Sequence, residues 1–392
     1  MKNIHSRFLE KIICEDLMDK MVFLGGPRQV GKTTLSRDII AKNHFSSYSY
    51  LSWDSKSDRE MILNEKLVES ELIIFDEIHK YSKWKTAVKG FFDKRLHNQK
   101  IIVTGSAKLN IFRRGGDSLQ GRYHYFCLHP FSLSELQEHA PSLTPFESLN
   151  FSENLAKDSI NHLLKFGGFP EPLLKKSDRF FRRWHKERVE RLCREDVRDL
   201  TSIRELSSMQ LLVDMLPDRV GSILSINAIR EDLEVSHKAV ATWLDVLEAL
   251  YYSYRIYPYQ NNKIRSIKKD AKLYLWDWSE VKDKGAQFEN FIAGHLLKTV
   301  HYLANYEGYN ANLYYLRDKE KREVDFIVTL DEKPWFSVEV KYSNPSITTP
   351  VKYFKEKLDI PFSFIVTKEE QPEYTKNGIK VISASKFLSG LI

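Results

Sequence analysis

The sequence predicts an α/β protein assembled from several domains around a parallel sheet, and three observations carry that reading. A chain of 392 residues exceeds what one hydrophobic core usually organises. Short apolar runs alternate with helical patterns through the first 130 residues, as strands and crossover helices would. One run leads straight into a glycine-rich turn and a helix, in the order Gly26-Pro-Arg-Gln-Val-Gly31-Lys32-Thr33.

Composition bounds the rest. With 42% hydrophobic and 29% charged residues the chain can form cores, which excludes a disordered or collagen-like polymer. Sixty Lys and Arg against 53 Asp and Glu leave a net charge of +7, which permits a nucleic-acid partner without requiring one. The start is charged, and no stretch approaches the roughly 20 apolar residues of a membrane span. A cytoplasmic protein with no membrane partner is expected. Cys14, Cys127 and Cys193 have neither CxxC spacing nor neighbouring histidine pairs, so disulfides and a structural zinc are not expected.

The first strand, residues 21–24, precedes a GxxxxGK[ST] motif that opens a helix through Leu35 and Ile39. The glycines let the loop of Gly26, Pro27, Arg28, Gln29, Val30, Gly31, Lys32, Thr33 and Thr34 wrap around phosphate oxygens with its backbone N–H groups turned inward, Pro27 alone lacking one, at a helix N-terminus whose dipole favours an anion. Lys32 is expected to reach the β- and γ-phosphates, and the Thr33 hydroxyl to hold Mg²⁺. The second strand, residues 72–75, ends in Asp76-Glu77. Acids at the C-terminal edge of a buried strand face the crevice where ligands bind. Asp76 suits the Mg²⁺ shell, and Glu77 the orientation or deprotonation of the attacking water. The third strand, residues 101–103, ends in Thr104-Gly-Ser106, either a γ-phosphate sensor or an ordinary turn. Beyond it, Arg113, Arg114 and Arg122 accompany Gly115, Gly116 and Gly121, so that an arginine could reach a phosphate in its own subunit or a neighbour's.

In their order along the chain, these motifs resemble the prokaryotic AAA+ ATPases that carry a C-terminal DUF4143 region. The resemblance rests on residues 26–34, Asp76-Glu77-Ile-His-Lys-Tyr, Thr104-Gly-Ser106, residues 116–122 and Gly167-Gly-Phe-Pro-Glu171. It implies an AAA+ core over residues 1–150 and a helical lid over 151–205. It further implies Ser106 in the sensor-1 place, Arg122 as arginine finger, ATP and Mg²⁺ as ligands and a homo-oligomer. Arg191 and Arg194 are the candidates for sensor 2.

Within a domain expected over residues 206–280, Leu224 to Tyr257 read as helix, short turn, helix and aromatic strand, with Ser236 as N-cap. Val240, Trp243, Leu244, Leu247 and Leu250 share one apolar face. The pattern resembles a winged helix-turn-helix whose second helix exposes His237, Lys238, Thr242 and Asp245. It either reads DNA or serves packing and oligomerisation. The runs 179–198 and 263–269 are basic, each a candidate polyanion surface or a solvated face.

From 281 to 392 a helix bearing Glu289 precedes strands at 312–316, 324–330 and 335–340. Alternation puts Glu339 and Lys341 on one face of their strand. Glu289, Asp325 and Glu339-Val-Lys341 together resemble the PD-(D/E)xK nuclease fold. That resemblance implies Mg²⁺ on Asp325 and Glu339 with Glu289 in support, and Lys341 positioning the water that attacks a phosphodiester. The whole chain thus reads as an ATPase controlling a nuclease-like domain on DNA. Two rivals are a nucleotide-switched scaffold that does not cut and a DNA remodeller that only grips the duplex.

Overall fold

The structure, a computed structural model, describes residues 7–64, 69–96, 98–106, 119–152, 157–197, 206–260, 271–343 and 346–392. The chain gathers into two compact units, Met1–His129 with Ala249–Tyr251 and Pro130–Glu248 with Tyr252–Ile392.

In the first unit five strands form one parallel sheet: β1 (Met21–Gly25), β2 (Tyr48–Ser52), β3 (Leu72–Asp76), β4 (Lys100–Thr104) and β5 (Tyr123–Cys127). Their order is β2-β3-β4-β1-β5. The strands expected from apolar runs are the three inner ones, buried almost throughout because both faces are covered. The two edges escaped the sequence reading. β2 and β5 read Tyr-Ser-Tyr-Leu-Ser and Tyr-His-Tyr-Phe-Cys, partly exposed edge strands that carry polar residues among the apolar ones.

Helix Trp84–Lys94 turns Trp84, Ala87, Val88 and Phe91 inward at helical spacing, onto a core with Phe23, Phe75, Ile101 and Val103. Phe75 and Phe91 pack with their rings tilted at 52°, 4.9 Å between centroids. Each such buried Phe contributes about 1.5–3 kcal/mol, which fixes β3 at one height in the sheet. The register then sets Asp76 beside both Ser52 and Thr104, and Thr104 beside Leu24. The C-terminal ends of the inner strands therefore form one level edge.

The second unit opens on a short helix, Leu133–Leu136, and continues with helices Lys157–Phe166, Pro170–Lys175 and Asp178–Arg191, in the stretch expected to be helical. Gly167 links the first two at φ +73°, where a Cβ would stand 2.5 Å from Asp277 Oδ1, so only glycine fits. Helices Ile226–Asp232 and His237–Ala249 follow, with Ser225 and Ser236 accepting the N–H groups of Ala228 and Ala239 as caps. The expected apolar face of the second helix is buried. An antiparallel pair, β6 (Ser253–Ile256) and β7 (Lys272–Leu275), completes this region, and β7 was not foreseen.

The C-terminal sheet is mixed, in the order β12-β13-β11-β10-β9-β8. Strands β8 (Ala311–Arg317), β9 (Glu323–Leu330) and β10 (Lys333–Lys341) are those the sequence predicted; β11 (Phe362–Thr367), β12 (Tyr374–Lys376) and β13 (Ile379–Ser383) are additional. β10, β11 and β13 run parallel, the remaining pairs antiparallel. Asp331 and Glu332, at φ 48° and 66°, make the two-residue turn whose twist suits a hairpin. That turn starts the register that brings Phe326 opposite Val338. Helix Lys284–Asn305 buries Phe288, Phe291, Ile292 and Leu296 and packs on β8, β9 and β10. Among the described residues no helix is long and apolar enough to cross a membrane. The α/β class, with a parallel first sheet and a mixed C-terminal one, is the one the sequence predicts.

Candidate functional site

The loop after β1 is shaped by backbone conformations that most residues avoid. Gly26 (φ +141°), Gln29 (φ 64°) and Gly31 (φ +102°) turn it back on itself. At Gly26 a Cβ would meet the Leu128 carbonyl oxygen at 2.5 Å, so this glycine is needed for the loop to seat against β5's exit. The Lys32 ammonium lies buried and donates to the carbonyls of Gly26 and Pro27, both at 2.9 Å. Val30 is buried, and Arg7 donates to its carbonyl at 3.2 Å, pinning the crest of the loop. Thr33 and Thr34 lead into the helix Thr34–Ala41, wound as a π-helix, with Thr34 exposed and Arg28 half-buried.

Asp76, at the end of β3, is held by hydroxyls. It accepts from Tyr50, from Thr104 and, at 3.4 Å, from Thr33. Glu77 follows at φ 55°, and its backbone N–H donates to the Thr104 carbonyl at 3.1 Å. This left-handed turn aims the carboxylate at Ser106, whose hydroxyl donates to Glu77 Oε2 at 3.0 Å, and at His79, whose Nε2 lies 3.7 Å from the same oxygen. Burial pulls the His79 pKa below its ordinary value, so its ring is neutral at pH 7. Thus Thr33, Asp76, Glu77 and Ser106 meet at one edge of the sheet, next to Lys32's loop.

Arg122 lies elsewhere. It immediately precedes β5, its carbonyl accepting from Met21 N–H, while the loop leaves the far end of β1 at Gly25. Its Nε stands 3.3 Å from Asp93 on a partly exposed surface. Residues 107–118, with Arg113 and Arg114, fall outside the described residues, as do 198–205 and 261–270. Arg194 pairs with Glu190 one turn back at 3.3 Å, and Arg191 is half-buried.

The second cluster lies within the second unit. Asp325 on β9 accepts the Val340 N–H at 2.8 Å, and Lys341 Nζ stands 2.7 Å from Glu339 Oε1 on β10. Glu289, on the long helix, accepts from the Tyr274 hydroxyl at 2.7 Å. Lys272 Nζ, on β7, lies 2.7 Å from Glu323 Oε1, 3.5 Å from Glu289 Oε1 and 3.8 Å from Asp325 Oδ1. Burial, then the Asp325 charge, pushes both Glu289 and Glu339 up to about 7, against the pull of Lys272 and Lys341 respectively. Burial also raises Asp325. Crowded carboxylates held in a dry place resist ionising together, and a cation relieves them.

Comparison with known proteins supplies three domain matches along the chain. Residues 18–137 match an AAA domain, residues 157–280 a domain of unknown function designated DUF8612, and residues 284–387 the domain of unknown function DUF4143. The chain carries an AAA ATPase domain and a C-terminal DUF4143 domain. It is 21% identical to an uncharacterized protein of Haemophilus influenzae over 96% of each chain. An uncharacterized protein of Methanocaldococcus jannaschii is 23% identical, over 84% of this chain and 77% of that one. Among solved structures, a Walker-type ATPase of Pyrococcus abyssi aligns with TM-score 0.42 and 17% identity, over 71% of this chain and 95% of that one.

In this AAA–DUF4143 protein the sequence reading missed Tyr50, His79, Lys272, Tyr274 and Glu323. Tyr50 sits on an edge strand with little apolar signal. Lys272 and Tyr274 did carry a signal, since Lys-Leu-Tyr-Leu alternates and puts both on one strand face. Nothing linear ties that face to Glu289.

The basic run resolves into faces. On helix Asp178–Arg191, Arg179, Arg182, Arg183 and Lys186 are exposed at helical spacing, opposite buried Trp184, while Arg188 turns in to Asp277 (3.2 Å) and Glu280 (2.7 Å). On the helix His237–Ala249, His237, Lys238, Thr242 and Asp245 are exposed, and Asp245 pairs with Arg255 at 2.7 Å.

Proposed function

We propose that the protein is a Mg²⁺-dependent ATPase whose nucleotide cycle governs a C-terminal metal-dependent site acting on DNA. The observation that carries the first half is the meeting of Thr33, Asp76, Glu77 and Ser106 beside the glycine loop. In this reading Lys32 leaves the Gly26 and Pro27 carbonyls to contact the β- and γ-phosphates, and residues 26–34 wrap the phosphate chain. The Thr33 hydroxyl and Asp76 carboxylate, 3.4 Å apart, are hard oxygen donors suited to Mg²⁺. Mg²⁺ would supply positive charge to the β- and γ-phosphate oxygens. Glu77 orients the attacking water and takes its proton, with Ser106 and His79 holding its carboxylate. Arg122, a strand's length from its own loop, serves a neighbour's nucleotide in a homo-oligomer. The test is Mg²⁺-dependent ATP hydrolysis. Glu77→Gln should bind ATP and fail to turn it over, and a mixture of Lys32→Ala with Arg122→Ala should recover activity that neither has alone. Hydrolysis undiminished in Glu77→Gln would sink the assignment.

The second half rests on the convergence of Glu289, Asp325 and Glu339 with Lys341. Their oxygens suit Mg²⁺, and Lys341 would orient the water that attacks a phosphodiester. The winged-helix-like region 206–280 would transmit the nucleotide state. The exposed row Arg179, Arg182, Arg183 and Lys186 supports a phosphate-backbone contact. DNA cleavage lost in Lys341→Ala and retained in Lys32→Ala supports a nuclease. A second reading, a nucleotide-switched scaffold that does not cut, is favoured by Lys272 standing among the carboxylates. Absence of cleavage with Mg²⁺ or Mn²⁺, with or without ATP, would select it.

A further inference from the structure

Lys272 is 3% exposed, and its ammonium stands within 3.8 Å of three carboxylates, two of which, Glu289 and Asp325, are those read above as metal-binding. We propose that the Lys272 ammonium is a built-in cation that competes with a divalent metal for Glu289 and Asp325, so that the C-terminal site takes metal only as Lys272 yields. The proposal rests on the metal-site reading of Glu289, Asp325 and Glu339 and adds its regulation.

Charge balance argues for it. Glu289, Asp325, Glu339 and Glu323 bring four acids, and Lys272, Lys341 and Arg317, the last 2.6 Å from Glu323, bring three bases. The cluster is thus close to neutral with its own side chains alone. Metal–oxygen bonds to the same two carboxylates would be about 2.0–2.1 Å for Mg²⁺. An ion so bound would sit a few ångströms from the ammonium, in a buried place where like charges are weakly screened. One of the two must leave. Lys272 has somewhere to go, because its shortest contact, 2.7 Å, is to Glu323 at the margin of the cluster. Its own strand matters as well. Lys272 comes from β7, outside the DUF4143 match at 284–387, so whatever shifts β7 shifts the competing charge.

The test is Mn²⁺ titration of the nucleotide-free full-length protein, followed by calorimetry and by the electron paramagnetic resonance signal of free Mn²⁺. Lys272→Met should bind Mn²⁺ at least tenfold more tightly than wild type. Lys272→Arg, still cationic, should stay near wild type, and Asp325→Asn in the Lys272→Met background should remove the gain. Chelator should lower the Tm of Lys272→Met and leave that of wild type unchanged. Lys272→Gln repeats the measurement, with far-UV circular dichroism confirming the fold of each variant. Equal Mn²⁺ affinity in wild type and Lys272→Met, lost in Asp325→Asn, overturns the competition and leaves the metal site standing. Binding indifferent to Asp325 in every variant removes the metal site itself.

Discussion

The nucleotide edge and the carboxylate cluster use the same residue types in opposite ways. At the first, Asp76 is surrounded by the hydroxyls of Tyr50, Thr104 and Thr33, Glu77 by a hydroxyl and a neutral imidazole, and Lys32 donates to two carbonyls. Neutral dipoles hold the charged groups in place and leave their charge for a ligand to meet. At the second, lysines stand directly on the acids, so the charge is met from within. A site of the first kind is poised for its ligand, and one of the second must exchange an internal partner for it.

The comparison is broken most easily at its strongest point. Lys32→Ala should abolish ATP hydrolysis while leaving the fold intact, measured by phosphate release and circular dichroism; surviving turnover would mean that the loop does not hold the phosphates. Glu77→Gln should lower kcat by about 10²–10⁴-fold, the usual share of a general base, with ATP affinity kept. Tyr50→Phe should weaken Mg²⁺-dependent turnover by about ten- to a hundredfold, since a hydrogen bond to a charged group is worth about 1.5–3 kcal/mol. An unchanged Mg²⁺ dependence would remove Tyr50 from the site.

The carboxylate cluster should betray itself through pH. Glu289 and Glu339 titrate near 7 in the folded protein and near 4.5 when unfolded, so between those values the folded state binds more protons. Stability in chelator should therefore fall as pH rises from about 4.5 through 7 and level off above. Glu289→Gln or Glu339→Gln should flatten that slope in denaturant titrations at several pH values. Mn²⁺ affinity should rise over the same interval, because the ligands must ionise to bind. The smallest effect is expected at the surface. Asp93→Asn, which frees Arg122 from a partly exposed pair, should change stability by less than about 1 kcal/mol.

How much was legible follows from what each signal depends on. The glycine loop and its flanking strand are local, because phosphate wrapping needs consecutive residues, and so Gly26 to Lys32 could be read directly. Asp76 and Glu77 were legible because β3 is buried on both faces and its apolar run stops where the acids begin. Thr104-Gly-Ser106 is also an ordinary strand-ending turn, and the partnership of Ser106 with Glu77 depends on the β3–β4 register and on the left-handed turn at Glu77. Arg122 could be named as a candidate but its reach could not be judged, since that depends on which end of β5 it occupies. At the C-terminal end, alternation placed Glu339 and Lys341 together, and the structure adds the 2.7 Å between them.

The sequence by itself determined the chemistry carried by neighbours: the phosphate loop, the paired acids ending β3, the Glu-x-Lys on one strand face and the α/β class of both sheets. These follow from periods of two and of 3.6 residues, and from backbone angles that glycine alone tolerates. Only the tertiary structure decided which charges face each other across long separations, such as Tyr50 on Asp76 and Lys272 among Glu289, Glu323 and Asp325. The physical reason is that counterions are chosen by proximity in space. Proximity between strands is set by sheet order and register, which hydrophobic burial fixes for the whole chain at once.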